Sequence, residues 1–515
     1  MLRKTMFSVG SLARFALIAS GLLALFLALG RILYPHDVGQ YEADVWAPAD
    51  AIAHGHTPYE ISAATSPPYV AASYGPLYYG LIAIGVRVFG DQFVVGRALG
   101  LACLIVSALC VFLILKRYAG RTSPFIPLLG VGLLLAQYPV QAVAGIQAPD
   151  VVGLALALGG LTLVFLEREA RGRRQLARAA LGGFLLAAAI LVRQPLFLPL
   201  LVALSWYALH RDGRRMLVLS LAVGVTAVAS FAFLQATSHG GFLWHAVRLQ
   251  GAVSLSLAQA RELTFTYLRS PATILTVVLL VIGMLRCAVR DPRTENDVAA
   301  LEERLLRRLM LAYLVAAVAV AAVTSAKLGA SINYWLEVSA VLSILVPLYI
   351  RPALDLRATP DLRRRAHLWS SDWLYLVLVT LTFASALLNG GREAHGLALQ
   401  WRALPYVDEI VGDIRKLTTP GELVYVEYPD LAVSAGRPYV FNDVALYEDS
   451  SLLSGIYRRV LASKRLRLIV SLAPAPPPGY EPVCLTHAPP AGVYDVRLYY
   501  RTSGQSSSGR NCLKA

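Results

Sequence analysis

The chain has 515 residues, 57% of them hydrophobic and only 15% charged, with a formal net charge of +15 at pH 7. Soluble domains carry roughly a quarter charged residues, so the composition excludes a soluble enzyme; the lack of strict alternation over ~10-residue segments excludes an outer-membrane barrel. The basic residues fall in short clusters between apolar runs, which marks membrane orientation and leaves no nucleic-acid partner to expect.

Arg3 and Lys4 precede an apolar run that continues to Leu33. It is longer than a signal-peptide core and no small-residue cleavage site follows, so it reads as a retained signal anchor. The stretch Tyr34–Tyr79 comes next, with Asp37, Glu42, Asp44, Asp50 and Glu60, many tyrosines and prolines, and neither lysine nor arginine. Further apolar runs lie near 91–115, 124–140, 150–166, 176–193, 195–209, 215–235, 270–287, 307–325, 333–350 and 372–389. Each is long enough to cross a bilayer, which gives about 11 transmembrane helices. Leu77–Phe89 is apolar but only ~13 residues long, too short for a normal span. It is expected to be interfacial or re-entrant.

Lys116, Arg117 and Arg121, then Arg168, Arg171, Arg173, Arg174 and Arg178, His210–Arg215, Arg286–Arg308 and Arg351–Arg365 fall on one side if the spans alternate as above. With the N-terminus, that side is the cytoplasm. The loop 34–90, Tyr138–Asp150, Arg193–Pro195, Thr237–Ser270, Lys327–Asn333 and everything after Asn389 then lie outside. The tail changes character: Val407–Lys416 and Leu452–Lys464 read as helices, and Glu422–Glu427, Tyr439–Asn442 and Leu466–Leu472 as strands. Ser503–Gly509 reads as loose. The expected architecture is a polytopic α-helical membrane protein, residues 1–390, with the loop 34–90 as its large first outer loop. A small extracytoplasmic α/β domain, residues 391–515, completes it. The Ala/Leu/Arg-rich composition suggests a bacterium, hence a bacterial inner membrane.

Five cysteines show no paired metal spacing. Cys103, Cys110 and Cys287 read as small core residues; Cys484 and Cys512 could pair if the tail is extracytoplasmic. His54 and His56, two apart on a loop, are weak evidence for a metal. No metal ligand or cofactor is assigned, and a divalent ion stays open.

Asp37 follows the first span by four residues, near the outer headgroup level. A carboxylate there can take a proton from an acceptor hydroxyl, and partial burial would raise its pKa toward the working pH. It could equally be a solvated loop acid or a helix N-cap, as could Asp44. Asp150 opens a span after Pro149, where a carboxylate also complements the helix dipole. Arg193 and Gln194 close a span on the outer side; an arginine there suits a phosphate, or snorkels to the interface. Asn333 and Glu337 share a helix face, with Lys327 just before them. Glu337 lies a turn inside the membrane, where function is the default hypothesis and a structural pair the alternative. Tyr59 and Tyr74 are sugar-facing aromatics or interfacial anchors. Asp37, Asp150, Arg193, Lys327 and Glu337 come from five segments that all end on the outer side, which suits an anionic headgroup beside a hydroxyl acceptor.

At these residues the chain resembles the GT-C-type glycosyltransferases that use polyprenyl-phosphate sugars, the superfamily of protein O-mannosyltransferases and of the aminoarabinose transferase acting on lipid A. The resemblance lies in HDVGQYEADVW, HGHTPYE, YGPLYYGLIAIGVRVFG, QAPDVVGLALAL, LVRQPLFLPL and SINYWLEVSA, in that order over most of the first 350 residues. It implies a catalytic acid in the first outer loop, matching Asp37 ahead of Asp44. A second acid at the start of a later span matches Asp150. Bacterial members often carry an arginine before the Pro-Asp pair; here Ala148 stands there, and Arg193 is the cation that could replace it. The implied activity is inverting transfer of a hexosyl or pentosyl group from a polyprenyl-phosphate donor to a lipid, glycan or protein hydroxyl. The rival is a transporter or flippase of lipid-linked sugars, which would also need polar residues at membrane depth.

Overall fold

Every apolar run picked out in the sequence is helical where it is described. The computed structural model describes residues 18–38, 42–90, 93–119, 125–166, 172–289, 298–354, 371–463 and 466–501, except 474, 484, 486, 488 and 490–494. Arg3, Lys4, Arg121, Arg168, Arg171, Cys484, Cys512, Ser503–Gly509, and the 290–297 and 355–365 portions of the basic clusters lie outside those residues.

The chain runs through α1 (Ile18–Ile32), α2 (Glu42–Ala53), α3 (Ile61–Thr65), α4 (Pro76–Phe89), α5 (Val94–Tyr118), α6 (Phe125–Ala136), α7 (Tyr138–Val143), α8 (Pro149–Leu166) and α9 (Arg173–Val192). It continues with α10 (Leu198–Leu209), α11 (Gly213–Thr237), α12 (Leu257–Arg269), α13 (Pro271–Val289), α14 (Val298–Thr324), α15 (Leu336–Leu354) and α16 (Ser371–Leu417). Six helices among the described residues (α5, α8, α9, α11, α14 and α15 with the short turn before it) are long and apolar enough to cross a membrane. The pair α12–α13, bent by 70° at Ser270, gives a seventh if it counts as one broken span. The helices α1, α4, α6 and α10 are apolar but shorter.

Helix α8 packs between α5 and α9, and α15 packs against α6, α13 and α14. These two are the most enclosed of the spans. Small residues allow the close approach: a Cβ on Gly160 of α8 would come within 3.0 Å of the Gly182 carbonyl of α9, the packing expected where lipid supplies no hydrophobic drive between helices. Helix α11 buries only Leu219 fully and packs one side on α9.

The first loop is folded. Helix α2 has two working faces: Val45 and Ala49 pack on Tyr78, Tyr79 and Ile82 of α4, while Ala43 and Ala47 pack on Ile410, Leu431 and Leu468 of the tail. Pro48 interrupts α2, and its missing N–H leaves the Asp44 carbonyl without its helical donor. Asn442 of the tail supplies one, its Nδ2 lying 3.3 Å from that oxygen, and the same side chain pairs with both backbone groups of Ala71.

The tail carries α17 (Pro429–Ser434), α18 (Val444–Asp449), α19 (Ser454–Ala462) and a four-stranded sheet of β1 (Tyr425–Val426), β2 (Leu468–Ser471), β3 (Tyr480–Pro482) and β4 (Arg497–Arg501). The order is β1-β2-β4-β3; β1 runs parallel to β2, and β4 antiparallel to both neighbours. Two expectations change here. Val407–Lys416 is the continuation of α16, which runs unbroken from the apolar segment through residue 390 to Leu417. Tyr439–Asn442 is not a strand: it makes single parallel bridges, Val424 to Tyr439 and Tyr69 to Phe441, and so stitches the tail to the first loop.

Candidate active site

Helix α8 begins at Pro149 and places Asp150 in its first turn, while α9 ends at Val192 with Arg193 as its C-cap. The antiparallel pair therefore sets the two side chains together. Arg193 Nε donates to Asp150 Oδ1 at 2.7 Å, and Asn333 Nδ2 donates to Asp150 Oδ2 at 2.8 Å. Both ionic side chains are buried. The guanidinium carbon stands 4.5 Å from the ring centre of Tyr334 and 5.2 Å from that of Tyr74. Gly75 makes the second approach feasible, because a Cβ there would fall 1.8 Å from the Leu191 carbonyl. Arg193 Nη2 is buried and bears no hydrogen bond. Arg193 borders a hollow of about 30 Å³ lined also by Asp150, Thr324, Asn333, Tyr334 and Glu337; Glu337 Oε1 accepts from the Tyr313 hydroxyl at 2.7 Å.

Lys327 sits in the connection between α14 and α15 and donates to Gln250 Oε1. Burial, then the charge of Arg193, brings its pKa down to about 8, with Asp443 opposing the shift.

Asp37 caps the start of α2 from five residues upstream: its Oδ2 accepts from the backbone N–H groups of Glu42 at 3.0 Å and Ala43 at 3.2 Å. It also lines a cavity of about 570 Å³, together with Arg31, Tyr34, His36, Tyr428 and Asp430. The cavity has apolar walls from Val143, Ile146, Leu397, Ala403 and Val407. That volume suits a ligand of small-molecule size. Ser331 and Ile332 line this cavity and the next two residues, Asn333 and Tyr334, line the smaller hollow. The predicted cluster thus divides between two hollows on either side of one turn, Asp37 in one and Asp150, Arg193, Asn333 and Glu337 in the other.

Asp44 faces Asp443, Asp37 and Asp430. Burial first, then those charges, pushes its carboxyl well above the ordinary range. Burial and then Asp37 do the same to Asp430. Tyr59 is buried, donates its hydroxyl to the Tyr74 carbonyl at 2.8 Å, packs edge-on against Phe242 and His245, and borders neither hollow. Gln194 is exposed and borders neither hollow. Among the described residues no three His, Cys, Asp or Glu side chains gather as a metal site, and His54 and His56 are both exposed. Cys103, Cys110 and Cys287 are not in disulfides.

Sequence reasoning passed over Arg97, Asp430, Asp443 and Tyr334. Tyr334 follows Asn333 directly in a run already singled out. The others become visible only through contacts between segments far apart in the chain.

Residues 73–238 match the family of dolichyl-phosphate-mannose-protein mannosyltransferases, a stretch that holds Tyr74, Asp150 and Arg193. No curated protein sequence matches the chain. The structure is similar to that of ArnT from Cupriavidus metallidurans bound to undecaprenyl phosphate, with a TM-score of 0.63 and 13% identity over 95% of this chain and 98% of that one. The same protein in the apo state gives a TM-score of 0.60 at 13% identity, over 94% and 97% of the two chains. An oligosaccharyltransferase from Archaeoglobus fulgidus in its apo form gives 0.51 at 12% identity, over 89% of this chain and 69% of that one. The protein therefore shares the fold of ArnT along nearly its whole length, with helices long and apolar enough to cross a membrane, and residues 73–238 match the mannosyltransferase family's model.

Proposed function

We propose that the protein moves a sugar from a polyprenyl-phosphate donor to a hydroxyl acceptor on the outer face of a bacterial inner membrane. The observation that carries this reading is Arg193. Asp150 holds one edge of its guanidinium, two aromatic rings flank it, and a buried donor nitrogen is left without a partner. A buried N–H without an acceptor costs roughly 1–3 kcal/mol, and a phosphate oxygen entering the hollow would recover it. The fold shared with ArnT bound to undecaprenyl phosphate supports the same donor class.

In this scheme the donor phosphate rests against Arg193 and Lys327 while the sugar reaches past the Ser331–Tyr334 turn toward Asp37. The Asp37 carboxylate takes the proton of the acceptor hydroxyl, and the acceptor oxygen attacks the anomeric carbon. The bond from that carbon to the phosphate oxygen breaks with its electron pair on the phosphate, where the cations stabilise the added charge. Attack opposite the leaving group inverts the anomeric centre. The tail, packed on the first loop, would select the acceptor.

Binding of undecaprenyl phosphate to purified protein in lipid nanodiscs tests the Arg193 assignment. Arg193→Lys keeps the charge beside Asp150 but loses the planar fork. The expected result is affinity weakened about tenfold, equivalent to ~1.4 kcal/mol. Equal binding by the two proteins would remove the phosphate from this site.

A further inference from the structure

We infer that Arg97 and Glu42 are positioning residues that fix Asp37 relative to the start of α8; the inference deepens the transferase reading and rests on it for its kinetic arm.

Both side chains are completely buried, at 0% exposure. Arg97 stands in the first turn of α5 and its guanidinium is fully engaged. Nε donates to Glu42 Oε1 at 2.9 Å, and Nη2 to Glu42 Oε2 at 2.5 Å. Nη1 donates to the carbonyls of Arg31, at 2.8 Å, and Tyr34; Nη2 also donates to the carbonyl of His36 at 2.5 Å. Glu42 in turn accepts from the Val38 N–H at 3.0 Å and from the Gln147 N–H at 2.7 Å. The pair therefore grips the backbone immediately before and immediately after Asp37. It also holds Gln147, three residues ahead of Asp150, whose side-chain amide returns a bond to the Glu42 carbonyl at 3.0 Å. Gly96 lets Gln147 come this close, because a Cβ there would sit 2.1 Å from Gln147 Oε1.

A buried ion pair that served only stability would need each charge satisfied, and replacing such pairs by apolar residues is often neutral. Here the surplus donors of one arginine are spent on three carbonyls of one short stretch, from Arg31 in the last turn of α1 to His36. A planar fork can do this and an ammonium cannot. The consequence is geometric: the position of Asp37 is tied to the segment that leads into Asp150 and, through it, to Arg193. A displacement of about 1 Å between reacting groups can cost about 100-fold in rate.

The test uses the full-length protein in nanodiscs, comparing wild type with Arg97→Lys and Glu42→Gln. Hydrogen exchange reads the geometry without any substrate: both variants should exchange faster at Val38 and Gln147, with the Asp150–Arg193 region unchanged. With a polyprenyl-phosphate sugar and a hydroxyl acceptor, kcat should fall roughly 10–100-fold while the donor KM stays within about twofold. Unchanged exchange at Val38 and Gln147, or a wild-type kcat in both variants, overturns the inference. So does loss of the folded state in both, which would assign the pair to folding alone. Faster exchange in the variants with no turnover even in wild type keeps the clamp and rejects the transferase reading.

Discussion

Lys327 shows how one side chain can carry a pH signature. It lies outside the spans, and its ammonium is brought down to about 8 by burial and by the nearby Arg193 charge. A lysine with a lowered pKa keeps its charge below that value and loses it as the pH rises through it. If the charged form helps hold the donor phosphate, kcat/KM should fall as the pH climbs past about 8. Lys327→Arg, which stays protonated, should abolish that alkaline limb in a pH–rate profile; a limb that persists unchanged in the variant assigns the titration to another group. Of the polar residues singled out in the sequence, Asp150, Arg193, Asn333 and Glu337 do meet, because each closes or opens a helix at the same end of the bundle. What the sequence does not reveal is the orientation of each group. Asp37 serves as the cap of α2, Tyr59 turns inward, and Gln194 points away from both hollows.

At the scale of elements, the contact between the first loop and the tail brings Asp37, Asp44, Asp430 and Asp443 within range of one another. The folded forms of Asp44 and Asp430 hold their protons more tightly than the unfolded chain does, because burial and mutual repulsion raise both pKa values. Stability from these groups is therefore fully present below the ordinary carboxylate range and is lost as the pH rises toward the raised values. Docking of the tail on α2 should loosen as the pH increases above the ordinary carboxylate range. Asp44→Asn removes one charge and keeps the size, so limited proteolysis of the tail should become slower at pH 8 and less dependent on pH. A variant cleaved at wild-type rates as the pH rises would mean that the cluster is not coupled to docking. The apolar periodicity of α2 announces neither this contact nor the Arg97–Glu42 pair. A hydrophobic pattern reports that a face is covered and says nothing about which distant segment covers it.

Over the whole molecule, the helical part is legible because lipid demands apolar helices: the predicted runs fall on helices, of which six, or seven with the bent pair, are long and apolar enough to cross a membrane among the described residues. The tail is less so. Its strands are two to five residues long, and β3 contains Pro482, too little pattern to separate from a turn. The chain turns polar after Asn389, yet α16 continues as one helix to Leu417. The predicted outer-loop helix Leu77–Phe89 is present as α4, packed beneath α2 with Tyr78 and Tyr79 buried.

The most direct measurement is release of polyprenyl phosphate from a polyprenyl-phosphate sugar by the purified, reconstituted protein in the presence of a hydroxyl acceptor, run beside Asp37→Asn. Asparagine caps a helix as well as aspartate, so this variant should keep its fold while losing the base. The expected result is acceptor-dependent release by the wild type and a rate lower by about 100-fold or more in the variant. Equal release by both proteins would remove Asp37 from the chemistry, and movement of the intact lipid between leaflets without release would contradict transfer altogether.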